Sequence, residues 1–334
     1  MKTCTKFYIL SILLILIFIA DILMGSVVIP FKELYSSLFH EDESIIYEIF
    51  INHRLPKALT GCFVGAALSA AGLFMQTLFR NPLAGPDVLG INSGASLGVA
   101  LLTLGGVSLG SWMGGYAQIL AAITGAISIL LLVILVSTRI KSSVSLLIVG
   151  VMFGYFTGSI VSILQNLSNP DTLKLFITWT FGSLSATGWN QLQILIPVLC
   201  LSIIASTFLI KQLNVFLLGG DYAQGVGINV KRTRLYIIIL TGILTGTATA
   251  YTGPIGFIGI TMPHIARGIF KTSNHKIILP ASIMLGATIL MACDIVSQMP
   301  ALNSSLPINA VTSLFGAPIV LWIMLRKRST TSFT

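Results

Sequence analysis

The sequence predicts an all-α, polytopic membrane protein with about ten transmembrane helices and inverted-repeat character, and three observations carry this. Of the 334 residues, 55% are hydrophobic and only 9% charged, with a mean hydropathy of +0.95. Charge-free apolar runs of about 20 residues, the length that spans a bilayer core, recur along the chain. The positive charges gather in one set of connecting loops. A soluble domain with so little charge would lack the surface that keeps it dispersed. The whole chain, 1–334, reads as one membrane domain.

The apolar segments, in order, are 7–29, 57–79, 90–106, 116–137, 144–165, 191–210, 235–251, 257–270, 277–297 and 308–325. The first follows Lys2 and Lys6 as a secretory signal would, but it is too long for one and lacks a small-residue cleavage site. It is expected to remain as a helix. The third and eighth are short, and each follows a Gly/Pro-rich break: Asn81-Pro82-Leu83-Ala84-Gly85-Pro86 and Gly253-Pro254-Ile255-Gly256. Broken backbone survives at membrane depth only where protein or a water-filled cavity satisfies it. The first break continues to Gly90-Ile91 and the second to Gly259-Ile260, after segments that run in opposite directions, so the halves read as inverted copies. Glycines four apart at Gly61/Gly65, Gly154/Gly158 and Gly242/Gly246 predict close helix contacts.

Ten spans put both termini on one side. With that side cytoplasmic, fifteen of the nineteen Lys and Arg residues fall inside. Only Lys32, Arg54, Lys57 and Lys174 fall outside, beside Glu33, Glu41, Asp42, Glu43, Glu48 and Asp171. This is the bias of a bacterial inner-membrane protein. The net charge of +9 therefore reports topology and implies no nucleic-acid partner. Cys4, Cys62, Cys200 and Cys293 have no metal-ligand spacing, and no metal site is expected.

The longest inside loop, 211–234, mixes apolar, glycine and basic residues around Gly219-Gly220-Asp221-Tyr222-Ala223-Gln224-Gly225-Val226-Gly227. Short amphipathic helices separated by Gly225 and Gly227 would dock in a partner's groove, and a plain linker fits these residues equally well. Asp21 and Asp294 lie near the outer ends of apolar runs. A buried carboxylate there would suit proton coupling, but a helix-end residue hydrogen-bonded at the outer surface is the simpler expectation. Asn81 and Asp87 are expected to turn the broken backbone. His264 reads as structural or interfacial, while Gln76, Gln165 and Asn166 are weak candidates for a pathway lining.

Arg54-Leu55-Pro56-Lys57, Gly65 through Gly72 to Gln76, and Asn81 through Gly90 closely resemble the FecCD-type permeases. These are the membrane subunits of ABC importers for iron–siderophore complexes, haem and cobalamin. Gly253 through Gly259 to Pro263-His264 and Arg267 is a second match, and Leu306-Pro307-Ile308 with Gly316-Ala317-Pro318 a third. The resemblance runs in order over residues 7–326.

The resemblance implies a homodimer or heterodimer of permeases around a central pathway. Two ABC ATPase subunits would sit on the cytoplasmic side, and a periplasmic or lipoprotein substrate-binding protein would dock outside. Gly219, Asp221, Tyr222, Ala223, Gly225 and Gly227 match the coupling helices that enter the ATPase cleft. Arg54 and Lys57 match positions that receive the binding protein, while a third such position, often basic, is Gln298 here. Asn81, Pro82, Gly85, Pro86, Gly253, Pro254, Gly256 and Pro263 form the broken-helix, gating positions. The chain has no Gly-x-x-x-x-Gly-Lys-[Ser/Thr] loop, so it is expected to bind no cofactor and to be no enzyme, with ATP and Mg on the partner. Its cargo is expected to be a ferric siderophore, with haem and cobalamin as alternatives. An ion-coupled secondary transporter would need ionisable groups at mid-membrane, and the segment centres carry essentially none. An intramembrane enzyme is disfavoured by the absence of His-Glu-x-x-His.

Overall fold

The computed structural model describes residues 2–25, 45–106, 114–140, 142–299 and 305–327. Lys32, Glu33, Glu41, Asp42, Glu43, Lys141 and Arg328, which entered the charge bias, lie outside the described residues. Among the described residues every regular element is helical. The first half holds α1 (Thr3–Leu23), α2 (Ile45–Ile49), a π turn (Phe50–Arg54), α3 (Leu55–Phe79), a 3-10 turn (Pro86–Leu89), α4 (Ile91–Thr103), α5 (Gly114–Arg139) and α6 (Ser143–Leu167). The second holds α7 (Pro170–Thr180), α8 (Trp189–Thr207), α9 (Ile210–Phe216), α10 (Gly220–Gly225), α11 (Val230–Thr252), α12 (Ile258–Phe270), α13 (His275–Ser297) and α14 (Ile308–Lys327).

Each of the ten apolar segments is a helix. Among the described residues seven helices are long and apolar enough to cross a bilayer unaided: α1, α3 with the turn before it, α5, α6, α8, α11 and α13. The first begins at Thr3, earlier than hydropathy alone places it, because Lys2 and Lys6 mark no break in the backbone pattern. Two helices were not foreseen, the five-residue α2 and the longer α7. α7 carries Asp171 and Lys174 among its apolar residues, which hides it from a hydropathy reading, yet Pro170 at its first turn has the backbone angle that starts a helix.

α3 is the axis of the bundle. It is buried at every position from Val64 to Phe79 and packs against α11, α12 and α13. Such crowding works because the contact faces are small. A Cβ on Gly65 would stand 2.7 Å from the carbonyl carbon of Gly286 in α13, so the two backbones touch. Gly242 and Gly246 face Leu130 and Ala126 of α5 in the same manner. Gly154 lies in ordinary contact with Ser93 of α4, whereas Gly158 faces open space, so only one member of the third pair meets a helix among the described residues.

The two Gly/Pro breaks produce half-helices. α4 and α12 have 13 residues each, about 20 Å at 1.5 Å per residue, against a hydrocarbon core of about 30 Å. α12 starts beside the middle of α3, where a Cβ on Gly259 would lie 2.6 Å from the Pro86 ring and 2.8 Å from the Leu68 carbonyl. It ends at Phe270, beside Phe7 near the start of α1. α4 starts beside Gly150 and Ile129, then runs the other way along α5, with Gly98 against Ala121. The two half-helices thus leave a common central level towards opposite ends, which gives the inverted repeat a physical form.

The outer faces of α1, α5, α6 and α8 stay apolar and uncovered; Tyr155 is 70% exposed, Phe208 76% and Leu167 78%. A continuous apolar surface of this size is a surface for lipid or for another chain. The protein is membrane-embedded and multi-pass.

Candidate functional site

Three places carry polar or glycine-rich chemistry: the Lys/Arg-rich end, the central breaks, and the opposite end around Asp294. At the Lys/Arg-rich end the chain leaves α8 and folds into two short helices, α9 and α10. Leu213, Phe216 and Ala223 are buried and bind this hairpin to the body. The bend between them falls at Leu217–Gly219, where Gly219 adopts φ +111°. Gly225 ends α10 and Gly227 turns the chain at φ +85° towards α11, so these two glycines part α10 from α11 and not α9 from α10. Asn229 then starts α11, its side chain accepting a bond from the Arg232 N–H at 3.0 Å.

With Ala223 turned inward, Asp221, Tyr222, Gln224 and Gly225 face out. Leu218, Tyr222 and Val226 are 62%, 54% and 60% exposed. Tyr222 lies in α10, Leu218 in the bend before it and Val226 just after it, so the tip of the hairpin carries three exposed apolar side chains. The sequence reading singled out Tyr222 but missed Leu218 and Val226.

At the centre, each break is held by its own polar partners. Asn81 accepts the Leu83 N–H at 3.0 Å, an Asx turn that leads past Pro82 into Gly85. Gly85 has no room for a side chain, because a Cβ there would lie 2.8 Å from Ile260. Pro86 begins the 3-10 turn, Asp87 accepts from Asn92, and Asn92 accepts from Thr249 of α11 at 2.7 Å. In the second break Gly253 takes φ +73° and Pro254 leads on to Gly256, whose N–H donates to Asn309 at 3.0 Å. Phe257 sits at φ +67° at the start of α12, unusual for a side-chain-bearing residue. Pro263 is buried inside α12. Gln76 does not line a pathway: it is buried, donating to the Ile260 carbonyl at 2.9 Å and accepting from Arg267 at 2.5 Å. His264 is half-buried on the same helix.

The opposite end holds the largest departure from expectation. Lys57 and Arg54 are only 4% and 7% exposed. Lys57 Nζ lies 2.7 Å from Asp294 Oδ2 and 3.4 Å from Asp21 Oδ1, and donates to Gln298 Oε1 at 3.2 Å. Gln298 in turn donates to both Asp294 oxygens at 3.1 Å. Arg54 donates to the carbonyls of Ile22 and Leu23 at 3.0 and 2.7 Å, the unsatisfied C-terminal groups of α1. In this conformation the polar heads of Arg54, Lys57 and Gln298, the three positions expected to receive a binding protein, are held by partners within the chain. Asp21 and Asp294 are likewise not surface residues, being 0% and 2% exposed. A cavity of about 520 Å³, lined by Ser183, Ser185, Asp294, Ser297 and Gln298 among others, opens beside the cluster. Among the described residues no group of three or more His, Cys, Asp or Glu could hold a metal ion.

Residues 12–326 match the FecCD transport family. The chain belongs to that family. Among its relatives, the hemin transport system permease protein HmuU of Yersinia pestis is 32% identical over 320 residues, covering 96% of this chain and 95% of HmuU. The vitamin B12 import system permease protein BtuC of Klebsiella pneumoniae is 34% identical over 323 residues, covering 96% and 93%. A solved structure described as an inward-facing conformation of a metal-chelate type ABC transporter superimposes with a TM-score of 0.85 at 26% identity, over 96% of this chain and 99% of that one. This FecCD protein is thus an ABC importer permease, a transport subunit and not an enzyme.

Proposed function

We propose that this FecCD permease works as a pair of copies, is driven by two ATPase subunits seated on the α9–α10 hairpins, and imports a metal chelate, with a ferric siderophore as the first candidate. The observation that carries the ATPase assignment is the exposure of Leu218, Tyr222 and Val226. These apolar side chains are exposed on a hairpin anchored by Leu213, Phe216 and Ala223, at the end of the bundle richest in Lys and Arg. Residues of this kind mark a surface built to be buried by a partner. The positive-inside bias makes that end cytoplasmic, which puts both termini there too. A binding protein would deliver the chelate from the other side, where the cavity beside Asp294 opens. The chain itself binds no nucleotide on this reading. Among the relatives one carries hemin and one vitamin B12 in name, so cargo is tested directly. Vesicles containing the permease, its ATPases and its binding protein are expected to accumulate ferric siderophore on addition of ATP. Uptake of haem or cobalamin alone would replace the siderophore assignment.

Gly225 gives a clean test of the hairpin. A Cβ there meets nothing within 4 Å, and the residue ends a helix outside the left-handed region that favours glycine. Gly225→Trp should therefore leave thermal stability within about 0.5 kcal/mol of the parent, as for a surface change. It should abolish co-purification of the ATPase subunits by steric conflict with them. Tyr222→Ala should weaken that association by about 30-fold, the loss typical of a buried aromatic anchor. Full ATPase binding by both variants would remove the hairpin from the interface.

A further inference from the structure

The hairpin is joined to the bundle by a directed chain of hydrogen bonds as well as by packing. Asn214, on the inner side of α9, accepts the His275 N–H at 2.8 Å, and its Oδ1 also lies 2.9 Å from His275 Nδ1. Its Nδ2 donates to Asn274 Oδ1 at 3.1 Å, the same oxygen that caps α13 by accepting the Lys276 N–H at 3.0 Å. These two partners fix which way the Asn214 amide points. Because Oδ1 can only accept, His275 Nδ1 carries the hydrogen. His275 Nε2 stands 2.9 Å from Thr77 Oγ1 of α3, and both residues are almost wholly buried. In the neutral ring Nε2 is an acceptor, and Thr77 Oγ1, which also lies 2.8 Å from the Leu73 carbonyl of its own helix, shares its one hydrogen between the two. In this tautomer the His275 ring bridges Asn214 of α9 and Thr77 of α3.

The next residue continues the connection. Gln76 holds the Ile260 carbonyl and the Arg267 guanidinium of α12, the half-helix that begins against Pro86 and Gly259. Packing through Leu213 and Phe216 keeps α9 attached but tolerates sliding. Directional bonds, buried at His275 and Thr77, fix rotation and register instead. We propose that Asn214, His275 and Thr77 form the link that transmits movement of the ATPase-facing hairpin to α3 and, through Gln76, to the half-helix α12. They are positioning residues for transport. This deepens the proposed function and rests on the ATPases binding at α9–α10.

The test uses the whole complex in vesicles and measures ATP hydrolysed per molecule imported, with ferric siderophore, haem or cobalamin as cargo, whichever wild type accumulates. Thr77→Val keeps shape and removes the hydroxyl, Asn214→Leu removes the amide, and Thr77→Ser restores the donor. Thr77→Val and Asn214→Leu should retain ATPase association and hydrolysis but raise the ATP cost of import about tenfold, the loss of one to two net hydrogen bonds. Thr77→Ser should import like wild type. The double variant should be no worse than either single one, since both cut one link. Normal stoichiometry in Thr77→Val and Asn214→Leu overturns the proposal, as do additive effects. Loss of ATPase binding in Asn214→Leu also overturns it, leaving mere support of the docking face. Wild-type permease that binds no ATPase, or accumulates none of the three compounds, would instead defeat the proposed function.

Discussion

Lys57→Met should destabilise the purified protein by about 3–5 kcal/mol, the cost of leaving buried charge uncompensated. Methionine nearly fills the lysine volume, so packing changes little. The two carboxylates, however, lose the ammonium that lies 2.7 and 3.4 Å away. Only Gln298 then remains as a side-chain donor to Asp294. The loss should appear as a lowered midpoint of thermal unfolding in detergent. The triple variant Asp21→Asn/Lys57→Met/Asp294→Asn should recover most of it, because replacing a whole buried ionic set with neutral groups is often nearly neutral. If Lys57→Met unfolds at the wild-type temperature, the cluster is not what joins α1 to α3 and α13. A triple variant as unstable as the single one would trace the loss to shape and not to charge.

Gly72→Ala should be at least as damaging, although it adds one methyl group. That methyl would overlap the Gly259 carbonyl, and Gly259 is itself wedged against Pro86 and the Leu68 carbonyl. Backbone cannot rotate aside as a side chain can, so the cost lies at or above the upper end of the usual overpacking range of about 1–3 kcal/mol. Gly158→Ala is the matched control. It adds the same methyl to a membrane helix where nothing lies within 4 Å. Expression and monodispersity should collapse for Gly72→Ala and persist for Gly158→Ala. Equal behaviour of the two would mean that α12 can withdraw from α3, and that the central crossing is loose.

These two sites show what can be read from sequence and what cannot. Ten apolar runs and two Gly/Pro breaks stood out because hydropathy and backbone preference are local properties, written within about 20 residues. Even the glycine-rich partnership of Gly65 was legible, though its partner Gly286 was not, since it belongs to no glycine pair four residues apart. Asp21, Lys57 and Asp294 meet only after α1, α3 and α13 have packed. Each looked like a helix-end residue when read alone, so charges placed at the surface turned out to be spent on one another. The α9–α10 hairpin lay between these extremes. Its glycines pointed to the loop, but which of them bends the chain depended on Leu213, Phe216 and Ala223 finding the core.

The pairing of Asp21 with Lys57 bears on how the chain is made. A carboxylate entering a bilayer alone is penalised, and α1 emerges from the ribosome before its partner. Once α3 follows, Lys57 can neutralise Asp21 and Arg54 can close the end of α1, so Asp21 has its counter-ion within the first hairpin. Asp294 arrives near the end of synthesis and brings Gln298 with it. A nascent chain halted before α13 would therefore hold a simple one-to-one ion pair, ready for the insertion machinery to release into lipid.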